Sequence, residues 1–138
     1  MKQIIVTLSV VLILSFPAAH SESLSQKALL GQEFSLRAGK KISLTDTKLK
    51  IRFVSVIEDS RCPQGVNCVW QGNAKARFEL SGIKSRPFTV RLNTGMEPKE
   101  IEYSGYTVRL VGITPQPKSG ERIKTRDYEA TLVVSRSR

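Results

Sequence analysis

Residues 58 to 72, E-D-S-R-C-P-Q-G-V-N-C-V-W-Q-G, hold both cysteines and the one tryptophan of the chain, beside two adjacent carboxylates and an arginine. Such residues do three kinds of chemistry. A thiol pair exchanges disulfides or holds a metal, a carboxylate pair moves protons, and an indole stacks on a sugar or a base. Spacing decides among them. Cys62 and Cys68 enclose P-Q-G-V-N, not the two residues of a C-x-x-C redox site. Pro63 and Gly65 help this segment turn back on itself, because proline presets φ and glycine accepts φ > 0. In an exported chain two lone cysteines bridge each other, so Cys62–Cys68 is expected to be a structural staple. Glu58 and Asp59, neighbours at a strand end, point to opposite sides, whereas glycosidase carboxyls face one another about 5 to 9.5 Å apart.

The single histidine of the chain is His20. It falls in an N-terminal segment with the pattern of a secretory signal peptide: Lys2, an apolar run from Ile4 to Phe16, then Ala19 and Ser21 before a cut. The run is shorter than the roughly 20 residues of a membrane span. Residues 1–21 are therefore expected to be removed, leaving 22–138 as a single domain in the periplasm or outside the cell. Without histidine that domain cannot build Ser-His-Asp, Cys-His or the usual zinc sites. No cofactor, metal or catalytic residue is expected, and an enzyme is the least favoured class.

The elements that must hold the stretch are strands. Leu49, Ile51 and Phe53 alternate with Lys48, Lys50 and Arg52, and Ala74, Ala76, Phe78 and Leu80 with Lys75, Arg77 and Glu79. The same period of two runs through Phe88 to Leu92, Tyr106 to Leu110 and Tyr128 to Val134, with shorter runs at 33–36, 41–44 and 100–103. Turn signals such as Ser81-Gly82, Asn93-Thr94-Gly95 and Ser104-Gly105 separate them. The pattern predicts an all-β domain: a small antiparallel sandwich or barrel of about seven or eight strands, with helix confined to a turn or two around Leu24 to Leu30.

On this frame, Glu58 and Asp59 end one strand and Trp70 leads into the next, in phase with Ala74 and Phe78, which predicts an indole in the core. Arg61 is placed to clasp Glu58 or Asp59. Gln64 to Asn67 form the tip of the stapled loop. The formal net charge is +10, and outward Lys50, Arg52, Lys75, Arg77, Arg91 and Arg109 converge on a basic face if their strands share a sheet. Such a face attracts anionic polymers. The segment resembles a motif of small exported bacterial proteins, E-D-S-R-C-P-x-x-V-x-C-x-W-x-G. The likeness extends to L-K-I-R-F-V-S-V, Y-T-V-R-L-V-G-I-T-P-Q-P and D-Y-E-A-T-L-V-V. It implies export and a compact β domain, and no particular activity. Three functions remain: a monomeric, non-enzymatic binding or structural module whose partner is an envelope protein or anionic polymer; an inhibitor presenting the Cys62–Cys68 loop; and a carboxylate enzyme.

Overall fold

Strands that alternate apolar and polar side chains must cover one face, and two such sheets do so by facing each other. The computed structural model describes residues 26–138, and the expected signal segment, 1–21, lies outside them. The strands are β1 (Lys27–Ala28), β2 (Glu33–Arg37), β3 (Lys41–Leu44), β4 (Lys50–Asp59), β5 (Ala74–Ser81), β6 (Phe88–Asn93), β7 (Glu100–Tyr103), β8 (Tyr106–Thr114) and β9 (Glu129–Arg136). They form a five-stranded sheet in the order β1-β3-β4-β5-β6 and a four-stranded sheet in the order β2-β9-β8-β7. Every pairing is antiparallel except that of β1 with β3.

One hydrophobic core lies between the sheets. Phe53 and Phe78, cross-strand partners on β4 and β5, stack with ring centroids 5.1 Å apart. Leu92 of β6 joins them in the core with Val108, Leu132 and Val134 of the other sheet, all fully buried. The residues picked out by period two line this interior, except Phe88, which is exposed on the edge strand β6, and Tyr106, which is half-buried.

The nine strands exceed the expected seven or eight by the two-residue β1. The helical turn expected around Leu24 to Leu30 does not form over Lys27–Ala28, which add instead to the edge of β3. The Ala28 carbonyl accepts the Thr45 N–H at 2.8 Å and the Ala28 side chain is buried. Docking on an open sheet edge outweighs weak local helical periodicity. Among the described residues helix is limited to the 3₁₀ turn Thr125–Asp127.

Two register shifts in β4, between Phe53 and Ser55 and between Val56 and Glu58, mark bulges. Beyond them Glu58 lies opposite Lys75 and Asp59 opposite the buried Ala74. The adjacent carboxylates therefore leave opposite faces, Glu58 toward solvent and Asp59 toward the space between the sheets.

Candidate functional site

Asp59 is the last residue of β4, and Arg61 follows one residue on. The Arg61 backbone N–H meets Asp59 Oδ1 at 3.3 Å, an Asx-type turn that folds the arginine back over the carboxylate. The guanidinium then donates twice, Nε to Oδ1 at 2.8 Å and Nη2 to Oδ2 at 2.7 Å. The side chains of Arg61 and Asp59 are only 7% and 11% exposed. Such a pair is stable only when its remaining donors and acceptors are satisfied. Arg61 Nη1 donates to the carbonyl of Ile113, Nη2 donates to that of Pro115 at 2.9 Å, and the Tyr128 hydroxyl donates to Asp59 Oδ2 at 3.0 Å. Ile113 and Tyr128 belong to the end of β8 and the approach to β9, so the pair bolts the two sheets together at one end of the sandwich. Burial raises the Asp59 pKa, but the hydrogen bonds and charge of Arg61 and the bond from Tyr128 outweigh it and hold the carboxyl below its usual 3.8. Burial, and then the hydrogen bond to Asp59, push the Tyr128 phenol up to about 12.

The predicted clasp forms with Asp59. Glu58 is not its partner: on the outer face it accepts hydrogen bonds from Lys75 Nζ at 3.2 and 3.3 Å.

Above the clasp the chain leaves as residues 60–72 and returns. Ser60 N–H and Oγ both donate to the Asn73 carbonyl, at 2.8 and 3.0 Å, and the Cys62 N–H donates to the Gln71 carbonyl at 2.9 Å. Cys62 and Cys68 form the expected disulfide, with Cα atoms 5.9 Å apart. Gly72 has φ +74°, and a Cβ there would lie 1.9 Å from the Ser60 carbonyl oxygen; one on Gly95 would lie 2.2 Å from the Gly72 carbonyl oxygen. Three backbone segments thus stack without side chains between them. The buried Asn73 and Asn93 lock this stack: Asn73 Nδ2 donates to Asn93 Oδ1 at 2.9 Å, and Asn73 Oδ1 accepts the Gly95 N–H at 2.9 Å. Sequence reading missed Tyr128 and both asparagines as parts of the site. Asn93-Thr94-Gly95 carried a turn signal, but nothing local tells an asparagine at a turn from one buried beneath it.

The loop itself faces outward. Its first half rests on the segment before Thr125, where Gln64 N–H donates to the Pro117 carbonyl and Gln116 Nε2 to the Cys62 carbonyl, both at 2.9 Å. From Gln64 to Gln71 every residue is exposed. Trp70, expected in the core, is 56% exposed; Val66 is 44% exposed and Val69 is fully so. The correction has a backbone cause. β5 starts at Ala74, and the positive φ at Gly72 breaks the strand, so its period of two does not extend back to Trp70. Beside the loop a cleft of about 300 Å³ is lined by Gln71, Gly72, Thr94, Gly95 and Gln116 together with Arg61. A second, of about 390 Å³, is bounded by Ile57, Glu58, Arg122, Ile123 and Tyr128.

The expected basic face is brought together only in part. Lys50 and Arg52 of β4, Lys75 and Arg77 of β5 and Arg91 of β6 share the outer face of the five-stranded sheet. Arg109 does not join them. It lies on β8 in the opposite sheet, across from Glu100. In comparisons with family models, curated proteins and solved structures, the chain matches none.

Proposed function

We propose that this chain is an exported, non-enzymatic β-sandwich domain, periplasmic or extracellular and monomeric, which binds a protein partner of the bacterial envelope or its surroundings through the stapled loop. On this reading it belongs with the small exported proteins whose motif it resembles. The observation that carries the proposal is the exposure of Val66, Val69 and Trp70 on a loop fixed at its base by a disulfide and a buried ion pair. Clustered apolar side chains in water are unfavourable, and a preordered loop loses little entropy on docking. A half-exposed tryptophan on such a base fits a binding hot spot. The carboxylates support a non-catalytic role: Asp59 is held ionised by Arg61 and Tyr128, and Glu58 is taken by Lys75 on the outer face.

A second reading, an inhibitor whose Gln64 to Asn67 tip enters an enzyme cleft, is favoured by the exposure of all four tip residues. Both readings are tested with Trp70, whose emission is the only tryptophan signal of the protein. Adding an envelope extract to the purified domain should shift that emission to the blue. The Val69→Ser variant should weaken the shift while melting like the wild type. An emission unchanged by envelope and secreted fractions alike would overturn the loop as a binding site. A shift obtained only with a purified hydrolase, with loss of its activity, would select the inhibitor.

A further inference from the structure

The outer face of the five-stranded sheet is charged in a way that solubility alone does not require. Strand pairing sets Lys41 opposite Arg52 and Arg77 opposite Arg91. Lys27, opposite Ser43, and Lys50, opposite the same serine and Ser81, extend the cations to the sheet end remote from the stapled loop. Among the described residues the only ion pair on this face joins Lys75 to Glu58, in the row nearest the loop, and the one further carboxylate on it is Glu79, which lies opposite Arg52 on the side away from Lys41. Like charges directly opposite in adjacent strands destabilise a sheet. The other sheet avoids them: Arg109 faces Glu100, and Arg37 lies 3.5 Å from Glu129. Its outer face also carries Glu33 and Glu102. One chain therefore alternates charge sign on one side and collects cations in register on the other.

We propose that this basic sheet face docks on an anionic lipid surface. The cations spread over all five strands of the sheet, about 4.8 Å apart across it and about 7 Å apart along each strand. They form a two-dimensional array rather than a track, which matches a plane of phosphate headgroups better than a single polymer chain. Besides Glu58 and Glu79, the outward positions named here carry lysine, arginine, serine and threonine, and none carries an aromatic ring on which bases would stack. The docked face neutralises the like-charge rows that the fold keeps in register, and it leaves the stapled loop at the far end. The proposal does not depend on what the loop binds.

The test is sedimentation of the purified domain with vesicles of neutral phosphatidylcholine, or of phosphatidylcholine with a third phosphatidylglycerol. Binding is expected to the anionic vesicles only and to fall at least tenfold between about 50 and 300 mM salt. Replacing Lys50, Arg52, Arg77 and Arg91 by glutamine should reduce it about 100-fold or more. These side chains are solvent-facing, and a melting temperature no lower than that of the wild type verifies the fold of the variant. Trp70→Ala should bind vesicles as well as the wild type. The proposal is overturned by equal binding to neutral vesicles, by loss of binding in Trp70→Ala, or by no vesicle binding at low salt. Tight binding to heparin or DNA without binding to vesicles also overturns it, and assigns the face to a polymer.

Discussion

Arg61 carries more of the structure than a surface arginine does. It is buried, it satisfies both oxygens of Asp59, and it caps the carbonyls of Ile113 and Pro115. Removing one partner of a buried pair leaves the other charged and unpaired, so Arg61→Ala is expected to cost about 3 to 5 kcal/mol in urea denaturation. The acid limb follows from Asp59. Its pKa is lower folded than the 3.8 of an ordinary aspartate, so its contribution is complete above that value and is lost as pH falls below it. Tyr128 acts at the other extreme. Its pKa rises from 10.0 to about 12, so its contribution is intact below pH 10 and disappears as pH climbs toward 12. Denaturant midpoints measured across pH should fall in both windows, and Tyr128→Phe should remove the alkaline fall. The sequence spelled out half of this node. D-S-R allows an aspartate and the arginine two places on to meet through a local turn, a short-range fact. The acceptors at Ile113 and Pro115 come from a strand more than fifty residues away (the Arg61–Ile113 separation is 52), and no local pattern encodes that meeting.

At the scale of elements, alternation located every strand longer than two residues, because burial of one face is written directly into the order of side chains. It failed at the two ends where backbone geometry takes over. β1 owes its place to an edge that β3 leaves open, and Trp70 owes its exposure to a left-handed glycine before β5. That glycine is also where the loop closes. In Gly72→Ala a methyl group would meet the Ser60 carbonyl at a φ that alanine rarely adopts. The variant is therefore expected to lose at least about 2 kcal/mol, more than an unstrained glycine-to-alanine change. Thermal melting followed by circular dichroism checks this, and Gly65→Ala, whose added methyl would meet nothing within 4 Å, is the control for positive φ alone.

Across the whole molecule, net charge was legible in the composition but its distribution was not. Deciding which strands share a sheet requires pairing, and pairing moved Arg109 to the opposite side from Arg77 and Arg91. The result is a sandwich with one cationic and one mixed face. Repulsion among cations held in register is screened by salt. The melting temperature is accordingly expected to rise between about 20 and 200 mM sodium chloride. Arg91→Glu, which turns the Arg77–Arg91 pairing into one of opposite charge, should raise the low-salt melting point by an amount equivalent to about 0.2 to 1 kcal/mol and flatten the rise.

The bonds from Ser60 to the Asn73 carbonyl close the excursion of residues 61–72 at its neck. Beyond the Arg61 anchor and the Cys62–Cys68 bridge, the sandwich gains little from what the other residues of Gln64 to Gln71 are, since those side chains face water. A neck of this kind separates inheritance of the scaffold from inheritance of specificity: the tip can change sequence, or accept a grafted peptide, while Asp59, Arg61, Gly72 and Asn73 keep the frame folded. Libraries randomised at Gln64–Asn67 and Val69–Trp70 would then yield mostly foldable members, making the protein a small display scaffold with its own built-in staple.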